Sequence, residues 1–276
     1  MKKIRIATMV CIVLVFAAIP ALAATHYFQG FETDTVDWTG ASRVASGTIS
    51  SAAGSFHGEV ENGAFTRFGG FENTFPAGGY TTSIDIYLAV NADFPNDMRF
   101  DYSSAISQPD GNHRRDFMFN GGYYNDTDAT GTGPRFVVSA SNNSPGWPKN
   151  PGRNPVAITE TGWYTFIHKF SNNGGVLKVD LSITKLDGTP VTGANWTLSD
   201  STDIIGSTVG GHRYGWFVGQ SQLMPVSAID NVSLLSVSEA ATVSACKNGG
   251  WQGLVRADGS PFLNQGDCIQ YVNTGK

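Results

Sequence analysis

The chain has 276 residues, 33 of them glycine, a charged fraction of 15% and a formal net charge of -5. That length suits one sizeable domain with a small appendage, and sparse charge with abundant glycine favours many short strands over helices. The acidic balance argues against nucleic acid or an anionic membrane surface as a partner.

Residues 1–23 read as an export signal. Lys2, Lys3 and Arg5 precede an apolar run from Ile6 to Ile19, and Ala21-Leu22-Ala23 offers a small-x-small cleavage pattern. The run is short for a membrane span and no stop-transfer charges follow, so a secreted, extracellular chain starting near Ala24 is expected, without membrane insertion. Losing three positive charges takes the net charge to about -8.

The mature chain opens with a strand in His26 to Trp38 that runs into an acidic loop, then a small, polar stretch from Ser42 to Ser55. Tyr80 to Val90 alternates, with Ile84, Ile86 and Leu88 against Asp85 and Tyr87. Met98 to Tyr102 sets Met98, Phe100 and Tyr102 against Arg99 and Asp101, and His113 to Asn120 sets Phe117 and Phe119 opposite Asp116 and Met118. Arg135 to Ala140 is another short strand, followed by a long loop from Ser141 to Pro155 that carries Trp147. The clearest pattern is Gly162 to Ile183, a hairpin. Tyr164, Phe166, His168 and Phe170 share one face of its first arm, and Leu177, Val179, Leu181 and Ile183 one face of its second. Ser171 to Gly175 supplies the turn. Strands around Asn195, from Gly210 to Val218 and from Ile229 to Val237 complete the domain. About ten to twelve short strands with no amphipathic helix imply a sandwich or barrel over 24–238. The remaining 239–276 hold a linker and a small module. Cys11 departs with the signal, which leaves Cys246 and Cys268 as one expected disulfide.

The hairpin, with VGGHRYGWF (Val209 to Phe217) and AIDNVSL (Ala228 to Leu234), resembles secreted bacterial proteins with a concanavalin A-like lectin/glucanase sandwich. That resemblance implies an all-β, antiparallel two-sheet jelly roll with sugars bound on a concave sheet. The tail from Cys246 to Cys268 looks like a short disulfide-closed module at the end of many exported bacterial proteins. Two departures bear on activity. The Glu-x-Asp-x-x-Glu strand of laminarinase-type enzymes is absent, and Arg114-Arg115, Tyr164 and His168 only loosely echo the catalytic strands of jelly-roll alginate lyases. No catalytic residue carries over.

Asp85, Asp101 and Asp116 point away from the apolar alternation. On neighbouring strands they form, with Arg99, Arg114 and Tyr87, a charged row across one sheet face, bordered by Trp147. Such a row serves a polysaccharide or surface glycan, a glycan-cleaving hydrolase or lyase, or simple cross-strand ion pairing. Tyr123 and Tyr124 are expected in loops bordering that sheet, His168 in the core, and His212 at a rim. If the first and last strands of the sandwich lie side by side, Glu32 and Asp230 meet. Two adjacent carboxylates call for a cation or a shared proton, and calcium is the expected ion.

Overall fold

The computed structural model describes residues 24–143, 146–218, 227–236, 238–239, 243–247, 249–256 and 262–275. The export signal lies outside them. In chain order the strands are β1 (Ala24–Gln29), β2 (Trp38–Ala45), β3 (Phe56–Thr66), β4 (Tyr80–Leu88), β5 (Met98–Ser107) and β6 (His113–Tyr124). A tiny hairpin, β7 (Thr127–Asp128) and β8 (Gly131–Thr132), precedes β9 (Arg135–Asn142) and β10 (Val156–Ile158). Then come β11 (Gly162–Asn173), β12 (Val176–Lys185), β13 (Pro190–Ile204), β14 (His212–Val218) and β15 (Ser227–Ser236).

The antiparallel ladder runs β10-β9-β6-β5-β14-β3-β15-β4-β11-β12-β13, with β1 on β15 and β2 on β3. It folds over on itself at β3. The end of β3 pairs with β14 (Thr66 opposite Gly215), whereas its beginning pairs with β15 (Gly58 opposite Ile229). One strand therefore crosses between two layers. Gly63 in β3 and Gly40 at a register shift in β2 both take positive φ, the conformation that bends a strand pair around a corner. At Gly40 a Cβ would meet Ala64 Cα at 3.1 Å, so the pair also needs the close approach.

The two layers, β10-β9-β6-β5-β14 and β15-β4-β11-β12-β13, face each other through aromatic rings. Phe166 of β11 lies edge-on to Phe119 of β6 at 5.0 Å and to Phe100 of β5 at 6.4 Å. Phe170 meets Phe117 at 5.7 Å. All eight alternating residues of the β11–β12 hairpin are buried. Its turn is Gly174-Gly175, both at positive φ, as a two-residue hairpin between twisted strands requires. The fold is thus an antiparallel two-sheet jelly-roll sandwich. β1 does run beside β15, with Phe28 opposite Ser233.

The tail has its own apolar cluster. Cys246, Phe262 and Cys268 are buried, with Trp251, Leu254, Ile269, Tyr271 and Val272 packed against them. Cys246 and Cys268 are bonded, with Cα atoms 5.8 Å apart. Among the described residues the tail also has a parallel bridge between β16 (Ser238–Glu239) and β17 (Leu254–Val255), a single turn α1 (Val243–Cys246), a 3-10 turn (Gly250–Gly253) and a helix α2 (Gln265–Thr274). The helix departs from the helix-free expectation. Its caps explain it: the Asn264 side chain accepts from Asp267 N, and Gly275 ends it in the left-handed region. Because this cluster is separate from the sandwich core, reduction should expose the tail to protease while the sandwich keeps its melting transition. Loss of both together under reductant would show that the bridge supports the whole chain.

Candidate functional site

The site lies on the outer face of the β9-β6-β5-β14 layer. Register places three rows there. Val218, Asp101, Asn120 and Ser139 form one, Trp216, Ser103, Met118 and Ser141 the second, and Tyr214, Ala105 and Asp116 the third. Strand alternation dictates this, since Phe100, Tyr102, Phe117 and Phe119 take the core side. An outer face is ordinarily solvated, yet Asp101, Ser103, Asp116, Asn120, Ser139 and Ser141 are all buried.

Part of the cover is the loop after β9. Its Gly146 sits so close to Asn120 that a Cβ there would lie 2.4 Å from Asn120 Oδ1, and Arg153 donates to the same oxygen at 3.3 Å. Pro148 packs over Gly122, and Lys149 stands 3.8 Å from the centre of the Tyr124 ring. Trp147 follows Gly146 and precedes Pro148 in this loop and is 49% exposed. Asp126 and Asp128 pin the loop through Lys149, and both also bind the fully buried Arg135. Gly121-Gly122 matter on both sides of the sheet: Phe100 occupies the space of a Cβ on one, Tyr124 and Pro148 on the other.

Beneath this cover Asn120 donates to Asp101 Oδ1 at 2.7 Å, while the buried Ser139 hydroxyl has no partner among the described residues. At the other end Asp116 gathers three donors: Ser103 Oγ at 2.9 Å, Trp216 Nε1 at 3.3 Å and His113 Nε2 at 2.8 Å. Burial alone would raise the Asp116 carboxyl, but these donors, His113 foremost, hold it below its ordinary value. The half-buried His113 ring lies nearly parallel to Tyr214 at 6.2 Å, and Tyr214 meets Trp216 edge-on at 5.8 Å. The face thus offers hydrogen-bonding groups of both kinds framed by aromatic rings.

No family model and no curated protein matches the chain. Among solved structures it is similar to an endo-1,3-beta-glucanase from Streptomyces sioyaensis, at 12% identity and a TM-score of 0.42 over 80% of this chain and 99% of that one. It is similar also to winged bean acidic lectin (11%, 0.39, 76% and 98%) and to peanut lectin (9%, 0.38, 78% and 98%). These are distant likenesses.

The structure divides the expected charged row. Asp101 and Asp116 share the face just described, and the loop that carries Trp147 lies on it through Gly146 and Pro148. Arg99 is on the same strand but is clamped by Asp97 through two 2.7 Å bonds. Arg114 turns to the end of β13, where it binds Asp203 at 2.7 Å. Asp85 and Tyr87 belong to the opposite layer, because β4 pairs with β11 and β15 and not with β5. Alternation shows which residues share a strand face; it does not show which strands are neighbours. Tyr123 and Tyr124 are in β6 and buried, not in a loop. His168 is a core histidine, bonded to Phe117 O at 3.1 Å and pushed down to about 3 by burial. His212 is buried as well, and burial lowers it to about 4, so it is no exposed rim base. Ser103, Asn120, Ser139, Tyr214 and the His113 bond to Asp116 were missed by sequence reasoning. Their only signal was polar residues recurring on the non-core parity of three strands.

On the opposite layer Asp85 and Asp230 sit directly across from each other. Asp85 accepts from Thr165 at 2.6 Å and Asn231 at 2.8 Å, and Asp230 from the backbone of Ala53 and Asn231. Glu32 accepts from the amides of Ser55 and Phe56, in the same loop as Ala53. These N–H groups supply the compensation that a cation would. Among the described residues no group of three or more His, Cys, Asp or Glu side chains is placed to hold a metal ion. Burial, with Asp85 adding to it, pushes Asp230 up to about 6. The folded chain therefore keeps a proton that an unfolded aspartate has released. This group's stabilisation is fullest below about pH 4 and is lost as pH rises through about 6. Asp85→Asn removes one charge; its oxygen still accepts from Asn231, and its NH2 group donates to the Thr165 hydroxyl, which turns from donor to acceptor. It should raise the melting temperature at pH 8 by about 2 to 4 °C and leave it unchanged at pH 4.5. An equal shift at both values would show that the pair does not share a proton.

Proposed function

We propose that this chain is an exported protein that binds a polysaccharide or surface glycan on the outer face of the β9-β6-β5-β14 layer. The observation that carries the reading is a set of buried but hydrogen-bonding side chains, Asp101, Ser103, Asp116, Asn120 and Ser139, framed by Trp147, Tyr214 and Trp216. Sugar hydroxyls meet this set at its accessible edge, where the His113 side chain that donates to Asp116 is 35% exposed, and sugar rings stack on the aromatics. Binding is favoured over cleavage by the carboxylate spacing. Register sets Asp101 and Asp116 four residues apart along neighbouring strands, about 14 Å between Cα atoms. A two-carboxylate glycosidase holds its carboxyl groups about 5 to 10 Å apart. Asp85, the third carboxylate of the expected row, lies on the other layer.

Incubation of the exported protein with a glycan array, followed by reducing-end detection, tests this. Retention without new ends is expected. New ends would favour the glycan-cleaving enzyme, and no retention on any glycan would leave a structural role.

A further inference from the structure

Among the described residues, the arginines are nearly all committed. Arg99, Arg114, Arg115, Arg135 and Arg256 pair with carboxylates. Arg43 holds the carbonyls of Phe31 and Glu32, and Arg153 holds Asn120. Among the described residues the side chains of Arg67 and Arg213 have neither an ion pair nor a hydrogen bond; each lies against an aromatic ring. The Arg213 guanidinium is 5.5 Å from the Tyr214 ring centre, and that of Arg67 is 5.7 Å from the ring of Phe71, which is 47% exposed. Thr66 pairs with Gly215, so Arg67, the residue after Thr66, follows beside Tyr214, the residue before Gly215. In keeping with that register, burial and then Asp116 raise the Tyr214 phenol, while Arg213 and Arg67 lower it. That ring is the Tyr214 whose neighbours are His113 and Trp216.

These two unpaired guanidiniums lie beside aromatic rings on a chain whose net charge is negative. A guanidinium presents a planar fork of donors that matches a carboxylate or sulfate, and leaving two without an anion forgoes that gain. Arg67 also walls a cleft of about 330 Å³ with Asp37, Trp38, Thr39 and Phe65, at the small end of ligand sites. The acids nearby do not occupy the fork. Asp37 lines the cleft without pairing to Arg67, and Asp116 is turned to Ser103, Trp216 and His113.

We propose that this corner binds an acidic saccharide unit, with Arg67 and Arg213 clamping its anionic group and Tyr214 and Trp216 supporting its ring. The assignment rests on the glycan-binding reading and names the substrate class for that face. Carboxylate and sulfate share the chemistry, and the choice of probes separates them.

The test is affinity electrophoresis of the exported protein in gels containing polygalacturonate, dextran sulfate, dextran or a neutral β-glucan. One of the two anionic polymers should retard the protein, and the retardation should fade as salt rises from about 50 to 300 mM. Arg213→Ala and Arg67→Ala should each weaken it about tenfold with the melting temperature unchanged, and Arg213→Lys should restore part of it. Retardation by polygalacturonate alone identifies a carboxylate, and by dextran sulfate alone a sulfate. Retardation by a neutral polymer only, or anionic binding that both alanine variants keep, overturns the acidic assignment while the glycan-binding face stands. No retardation by any of the four, with no retention on the glycan array, removes both.

Discussion

Phe166→Ala is expected to lower the stability of the sandwich by about 3 to 5 kcal/mol. The side chain is fully buried at the point where the two layers meet. Phe100 and Phe119 lie edge-on to it from the facing layer, and its own strand neighbours are Ile84 and Ile183. Those rings and branched side chains are fixed by paired strands on both sides, so the space left by truncation cannot close by a loop settling inward. Chemical denaturation measures the loss. An unchanged midpoint would mean that the layers do not pack through this residue.

Asp203→Ala is expected to cost about 3 kcal/mol, because removing one partner strands buried charge on the others. Asp203 ends β13 in one layer, and its carboxylate, only 1% exposed, receives Arg114 and Arg115 from the start of β6 in the other. Arg115 also reaches Asp200 at 2.9 Å, which offsets part of the loss. The same substitution assigns Arg114 a role. If Arg114 is a tie between layers, glycan retention by the folded variant stays at the level of the parent. Loss of retention at undiminished stability would return Arg114 to the binding site.

Much of the sandwich was legible because β11 and β12 alternate without interruption around two glycines, and because β4, β5 and β6 repeat the pattern. The corner at Gly40 and Gly63 was not. Its signal is two glycines in weakly patterned strands, and its effect depends on which strands they join. The site was legible in part. Asp101 and Asp116 were picked out by charge and Trp147 as an aromatic outside the apolar set; the structure brings the two carboxylates to one face and lays the loop that carries Trp147 on it. Asp85 and Tyr87 carried the same signal and lie on the other face, because neighbour order is a long-range property. Ser103, Asn120 and Ser139 are short polar side chains that read as solvated strand positions until the loop from Gly146 to Arg153 is seen to lie on them. Arg67 and Arg213 are far apart in the chain, and only the pairing of β3 with β14 brings Arg67 beside Tyr214, the neighbour of Arg213. The helix α2 had legible caps in Asn264 and Gly275, but so short a segment among glycines shows little periodicity.

The most direct measurement compares the two outer faces. Glycan retention is recorded for the parent protein, for Trp147→Ala and Trp216→Ala on one layer, and for Tyr87→Ala on the other, each with its melting temperature. The expected result is retention by the parent, retention by Tyr87→Ala at the same level, and a loss of about tenfold or more in each tryptophan variant that remains folded. Full retention in both tryptophan variants, with loss in Tyr87→Ala, would place binding on the opposite layer and contradict the assignment.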